Sequence, residues 1–94
     1  MERNYEVVII LKEVVGAPME KAKKAVGEVF KGLEVNVLGE DDWGKRALAY
    51  DIQGKKEGYY LFYTLKMAPE KVKQLRGKFE VNDDLLRFLI FTKD

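Results

Sequence analysis

The chain has 94 residues, 17 basic and 16 acidic, so its formal net charge is +1, which argues against general polyanion binding. This length suffices for one domain, which we expect to span residues 1–94. Cysteine is absent, which excludes disulfides and thiolate nucleophiles, and histidine is absent, which excludes the commonest general base and zinc ligand. We therefore predict a protein that is not an enzyme and uses no metal or cofactor.

The first half of the chain predicts a strand, a helix and a short second strand. Tyr5 to Leu11 is rich in β-branched and aromatic residues, which is typical of a strand. No apolar run approaches the roughly 20 residues of a membrane-spanning helix, and no signal-peptide cleavage site follows, so we expect a cytoplasmic protein. After the break at Gly16-Ala17-Pro18, apolar residues recur at helical spacing from Met19 to Leu33. A short strand at Glu34–Gly39 then leads into a predicted acidic turn at Glu40-Asp41-Asp42.

The second half predicts a hairpin, a helix and a last strand. Strand-like stretches at Lys45–Ile52 and Tyr59–Met67 flank a turn predicted at Gln53–Gly58. A second helix opens at Pro69, and the last strand spans Leu85–Thr92. The order β-α-β-β-α-β with right-handed crossovers gives an α+β, ferredoxin-like sandwich. Its four-stranded antiparallel sheet has the order 4-1-3-2, with both helices on one face and the other face open.

Side-chain alternation along the strands predicts which residues line the open face. The register we expect places Ile52 opposite Gly58, and a slip by one residue would exchange the two faces. It gives the cross-strand pairs Tyr50–Tyr60, Leu48–Phe62 and Arg46–Thr64, with Ala47 and Ala49 on the helix side together with Phe88 and Ile90 of the last strand. The open face then carries eight apolar residues, namely Val8, Ile10, Leu48, Tyr50, Tyr60, Phe62, Leu89 and Phe91. Such a surface is too apolar to leave in water, and it favours docking of a protein or of stacked bases. The alternatives are a dimer interface, or a strongly hydrophobic sheet with scattered exposed residues.

One segment has the pattern of a known family. Asp41-Asp42-Trp43-Gly44-Lys45-Arg46-Ala47-Leu48-Ala49-Tyr50-Asp51-Ile52, followed by Gly58-Tyr59-Tyr60-Leu61-Phe62-Tyr63, resembles the bacterial small-subunit ribosomal protein S6 family. The opening Tyr5-Glu6-Val7 and the ending Asp83-Asp84-Leu85-Leu86-Arg87-Phe88 are similar to the family's ends. The resemblance implies a structural component of the small ribosomal subunit. It would bind the central domain of small-subunit ribosomal RNA together with small-subunit ribosomal protein eighteen (S18), which would supply positive charge and cover the open face.

Four basic residues are candidates for contact with RNA phosphates, namely Lys45, Arg46, Arg87 and Lys93. Each could equally be a solvated charge on an edge strand, and Lys55-Lys56 is a weaker candidate of the same kind. Trp43 could stack on a base, although packing over the sheet edge is the favoured interpretation. The acidic residues of 40–42 are expected to be solvated rather than to hold a metal, since hard cations need more ligands.

Three features depart from the family pattern. Asp51 stands where the family usually has Pro, and on an edge strand either residue discourages further pairing. The chain stops at Asp94 without a charged tail, so we expect no tail contacts, and the loop Lys12–Ala17 lacks the usual Asn-Pro turn. The alternative interpretation is a ferredoxin-like module that self-associates, or binds a partner other than RNA, through the same open face.

Overall fold

The computed structural model describes residues 1–12 and 19–93. The elements in chain order are β1 (Arg3–Leu11), α1 (Met19–Gly32), β2 (Asn36–Ile52), β3 (Lys55–Met67), α2 (Pro69–Glu80) and β4 (Leu85–Thr92). The strands form one antiparallel sheet in the order β2-β3-β1-β4. This is the predicted order 4-1-3-2 counted from the other edge, so the fold prediction is confirmed. The predicted break at residues 16–18 lies outside the described residues.

The apolar core lies between the helices and one face of the sheet. Alternate residues of β1 and β3 are buried there, namely Tyr5, Val7, Ile9, Leu11, Leu61, Tyr63, Leu65 and Met67. Phe30 of α1 meets Tyr63 edge-on with 4.8 Å between ring centroids, and it meets Phe79 of α2 at 5.9 Å. Burial of these rings raises the pKa of the Tyr63 hydroxyl to about 12. Removal of this surface from water is the main force that holds the helices on the sheet.

The helix ends follow the sequence signals. Pro69 lies in the first turn of α2, where its missing N–H leaves no helical hydrogen bond unmade. Gly32 is the last residue of α1, and the Leu33 N–H donates to the Val29 carbonyl at 3.1 Å. Within residues 1–12 and 19–93, neither helix is long and apolar enough to cross a membrane.

Strand β2 differs from its prediction. It is one strand of 17 residues, and the acidic residues of 40–42 lie inside it rather than in a turn. The ladder to β3 shifts register at three places, between Val37 and Gly39, between Asp42 and Gly44, and between Ala47 and Ile52. Such bulges bend and twist a strand without ending it. The acidic residues of 40–42 therefore stay in the strand and pair with β3 between two of these register shifts.

The hairpin between β2 and β3 is tighter than predicted. Its turn consists of Gln53 and Gly54, with φ of 51° and 76°, and two positive φ values are what a type I′ turn requires. The predicted register is therefore wrong, because Gly58 faces Arg46 rather than Ile52. The other observed pairs are Gly44–Tyr60, Asp41–Phe62 and Gly39–Thr64, and Ala47 and Ala49 are exposed rather than covered by helices.

Candidate interaction surface on the open face of the sheet

The face of the sheet away from the helices is lined by apolar side chains from all four strands. Val8, Tyr60 and Phe62 are half-buried at its centre, where Val8 pairs with Phe62. On the β4 edge, Leu89 is 43% exposed and Phe91 is 50% exposed. Phe88 and Ile90 pack against the core instead. The predicted sorting of β1, β3 and β4 into two faces therefore agrees with the structure.

Trp43 lies on this face and forms an aromatic stack with its neighbours. Its ring is 5.6 Å from Phe62, centroid to centroid, with only 3° between the ring planes, and 6.5 Å from Tyr60 with 14° between planes. The Arg46 guanidinium lies over the indole at 5.7 Å. Nevertheless Trp43 remains 47% exposed. Because its position depends on a bulge, alternation along β2 did not predict it, and the signal that could have indicated the bulge is the glycine that follows Trp43 inside a strand.

A bulge in β2 carries Trp43 to the open face. The Asp42 Oδ1 accepts a hydrogen bond from the Gly44 N–H at 3.0 Å, which closes a short side-chain turn around Trp43. Gly44 has a φ of 73°, in the left-handed region that favours glycine. Asp42 pairs with Leu61 and Gly44 pairs with Tyr60, so Trp43 is the extra residue of the bulge.

The second oxygen of Asp42 connects β2 to α1 and β3. Asp42 Oδ2 accepts hydrogen bonds from Lys23 Nζ at 2.7 Å and from the Tyr59 hydroxyl at 2.8 Å. We call these three residues the Asp42 cluster. The bond to Lys23 holds the pKa of the Asp42 carboxyl below its usual value, and the same bond raises the pKa of Lys23. Hydrogen bonding to Asp42 also raises the pKa of Tyr59.

The end of the hairpin bends over the open face near its β4 edge. We call residues 47–57 the hairpin tip. Leu48 of the tip and Leu86 lie near Gly58, and Ile10 is so close that no Cβ would fit on this glycine. Ile10 is therefore only 6% exposed. The prediction that Ile10 forms part of the docking surface is wrong, because the tip and its neighbours enclose it.

Tyr50 lies on the hairpin tip rather than opposite Tyr60. Its hydroxyl accepts a hydrogen bond from Arg87 Nη1, and the Arg87 guanidinium lies 5.3 Å from the centroid of its ring. Tyr50 remains 56% exposed. The contact joins β2 to β4, the two edge strands of the sheet, which the predicted register did not foresee.

The four candidate RNA contacts fall in different places. Arg46 and Arg87 lie at the same end of the open face, because Arg46 faces Gly58 and Arg87 faces Ile10. Three strand spacings separate their strands, about 14 Å. Lys45 pairs with Tyr59, next to the helix side, and forms an ion pair with Glu57 at 3.5 Å. Lys93 lies at the opposite end, where its N–H donates to the Asn4 carbonyl at 2.8 Å.

The part of the chain that the structure describes contains no group of three acidic side chains arranged to hold a metal ion. The acidic residues of 40–42 instead alternate across β2, where Glu40 faces Tyr63, Asp41 faces Phe62 and Asp42 faces Leu61. Their side chains therefore do not converge on one point.

A comparison with protein families shows which family the chain belongs to. A sequence profile described as ribosomal protein S6 matches residues 4–92. The chain belongs to the ribosomal protein S6 family. The family resemblance predicted from the Trp43–Ile52 segment is thus confirmed, and membership of a family of structural ribosomal proteins agrees with the prediction that the chain is not an enzyme.

Relatives named small ribosomal subunit protein bS6 are similar over nearly their whole length. The protein of Desulforamulus reducens is 45% identical, covering 94% of each chain. That of Caldanaerobacter subterraneus is 38% identical over 98% of each chain. Among solved structures, 30S ribosomal protein S6 from Thermotoga maritima superposes with a TM-score of 0.85 at 21% identity, covering 99% of this chain and 89% of that one. This structural similarity supports the fold of the S6-family chain.

Proposed function

We propose that this S6-family chain acts as one domain within the small ribosomal subunit. It binds the central domain of small-subunit ribosomal RNA together with protein S18. The observation that carries the proposal is the exposed aromatic stack of Trp43 on Phe62 and Tyr60. The relatives named for the small subunit match 94% and 98% of the chain, which supports the same assembly role.

The centre of the open face is the proposed S18 contact. The apolar residues available at this centre and around it are Val8, Leu48, Tyr50, Tyr60, Phe62, Leu89 and Phe91, and Trp43 joins them. Aromatic residues are enriched in the buried centres of protein interfaces, where charged residues are depleted. Trp43, Tyr60 and Phe62 lie at the centre of this face, with Asp41 opposite Phe62 on β2 and with Arg46 and Arg87 at the margin. Ile10 is left out of the proposed contact, because it is only 6% exposed beside Gly58.

Arg46 and Arg87 are the proposed phosphate contacts. Both lie on the open face at one end of the sheet, so a single strand of RNA passing that end could meet both. Each guanidinium lies over an aromatic ring, Trp43 or Tyr50, and this restricts its motion before RNA binds. Lys45 and Lys93 are weaker proposals, since Lys45 pairs with Glu57 and Lys93 lies at the far end.

A pair of neighbouring substitutions in β3 tests the docking face. Leu61 is fully buried in the core, whereas Phe62 is half-buried on the open face. Phe62→Ala should keep the fold and weaken S18 binding by about 2 kcal/mol or more. Leu61→Ala should lower the free energy of unfolding by about 2–5 kcal/mol and leave S18 binding by the folded fraction unchanged. Thermal melting and calorimetric titration with purified S18 measure the two effects.

The same titration separates the alternatives. A parent chain that fails to bind S18 would overturn the proposed partner. If that chain instead dimerises in sedimentation experiments, and Phe62→Ala abolishes the dimer, the self-associating module becomes the correct interpretation.

A further inference from the structure

We propose that Asp42 is a positioning residue for the open face, because its carboxylate holds Trp43 flat against Phe62 and Tyr60. The link from this positioning to partner affinity rests on the proposed function. The positioning itself is a property of the free chain, and it can be measured without any partner.

Hydrogen bonds to the Asp42 carboxylate restrain the chain on both sides of Trp43. One carboxylate oxygen accepts the Gly44 N–H, so the residue after Trp43 is fixed relative to the residue before it. The other oxygen accepts hydrogen bonds from Lys23 Nζ and the Tyr59 hydroxyl, and these bonds hold the start of the bulge against α1 and β3. The backbone at Trp43 is therefore restrained within the strand and also from the helix layer.

The Asp42 cluster lies on the side of the sheet away from the proposed interface. Asp42 faces Leu61, a core residue, and its partner Lys23 belongs to α1. A molecule docked on the open face would therefore not touch the cluster. Any effect of Asp42 on binding must act through the position of Trp43.

Trp43 needs such a restraint because it is 47% exposed. A half-exposed indole is held by fewer contacts than a buried one, and a mobile ring loses more conformational freedom when a partner binds. Restraining the ring in the free protein lowers that entropic cost. The parallel arrangement with Phe62, at 3° between planes, is the arrangement that the restraint preserves.

Spectroscopy of the free chain tests the positioning. Trp43 is the only tryptophan, so acrylamide quenching of its fluorescence and its near-ultraviolet circular dichroism report on this one side chain. Asp42→Ala should increase quenching and reduce the dichroism. Asp42→Asn should have a smaller effect, since it keeps an acceptor for the Gly44 N–H but loses the charge that holds Lys23.

Matched variants control for the loss of charge. Glu40→Gln removes a carboxylate from the same face of β2, and Lys21→Met is the control for Lys23→Met on α1. Both controls should keep the parental Trp43 signals, whereas Lys23→Met should behave like Asp42→Asn. Far-ultraviolet circular dichroism verifies that each variant is folded. If folded Asp42→Ala and Asp42→Asn both keep the parental Trp43 signals, the inference is overturned.

Titration with S18 tests the consequence for binding. Trp43→Ala should weaken binding about thirtyfold, as expected for an aromatic anchor, and Asp42→Ala by a smaller factor, roughly five- to tenfold. The double variant should bind no more weakly than Trp43→Ala, because Asp42 acts only through that ring. Independent, multiplying effects would contradict the link from positioning to affinity. Failure of the parent chain to bind S18 would instead count against the proposed function, and the spectroscopic result would still decide the positioning.

Discussion

Gly58 shows how closely side chains are packed at one end of the open face. It is buried, and a Cβ added there would overlap Ile10 Cγ2 and lie 3.5 Å from both Leu48 Cδ2 and Leu86 Cδ1. Its φ is not positive, so the requirement for glycine comes from space rather than from backbone conformation. The glycine thereby allows the hairpin tip to approach β1 closely.

Gly58→Ala should destabilise the domain. Overpacking a site with no free volume costs about 1–3 kcal/mol, and urea denaturation would measure the loss. Gly39→Ala is the matched control in the same hairpin, because its added Cβ would lie 3.8 Å from Thr64, an ordinary contact distance. Equal stability of the two variants would show that the tip can move away from Ile10 at little cost.

Single residues of the site were predictable where strand alternation alone decides their face. This holds for Leu61 and Phe62, and for Leu89 and Phe91 of β4. It fails for Ile10, which lies on the predicted face but is buried beside Gly58, where Leu48 of the hairpin tip and Leu86 of β4 also lie. Long-range enclosure of this kind leaves no trace in the local pattern of β1.

Among the elements, the β2–β3 hairpin differs most from expectation. Residues 53–58 read as a long turn because they combine two glycines with three charged residues. The structure uses only Gln53 and Gly54 for the turn, and the register of the ladder then shifts at each bulge of β2. Alternation cannot locate a bulge, since each bulge exchanges the two faces of the strand beyond it.

The Asp42 cluster, which links α1 to this hairpin, predicts a specific pH dependence of stability. The pKa of Asp42 is lowered below its ordinary 3.8 by its bond to Lys23, so its stabilising contribution is complete above that value and is lost as the pH falls through the lower, folded-state pKa. The pKa of Lys23 is raised above 10.5 by the same bond, so its contribution is complete below 10.5 and is lost at still higher pH.

Melting temperatures of the parent chain and Asp42→Asn, measured across pH, check this prediction. The parent should be the more stable chain by a constant margin between about pH 5 and 9, where both partners are charged. The margin should shrink in more acidic solution, because the carboxyl group then becomes protonated. A margin that persists unchanged at about pH 2, or no margin at neutral pH, would contradict the assignment of the ion pair to stability.

For the molecule as a whole, the fold was predictable because several constraints agree. The periodicity of each segment, the right-handed crossovers and the two helices together leave one sheet order, and the structure has that order. The resemblance carried by Trp43–Ile52 then predicted the family. The positions of the basic residues were harder to predict, since only the observed register places Arg46 and Arg87 at the same end of the open face.

The net charge of +1 leads to a prediction about RNA. The isolated chain should bind a central-domain RNA fragment weakly, and addition of S18 should tighten binding and steepen its salt dependence. Each phosphate contact adds about 0.9 to the logarithmic salt slope on duplex DNA, so Arg46→Ala and Arg87→Ala should each reduce the slope of the ternary complex by about 1. Fluorescence anisotropy across a range of salt concentrations measures these slopes. Tight, steeply salt-dependent binding by the chain alone would be inconsistent with this division of charge.

The contact between Tyr50 and Arg87 has a consequence for the order in which the fold is completed. The two residues are 37 positions apart and belong to the two outermost strands. Arg87 reaches its place only when β4 has paired with β1, and Tyr50 reaches its place only when the hairpin has closed. The Tyr50–Arg87 contact therefore belongs to the last stage of folding, after both halves of the sheet have formed.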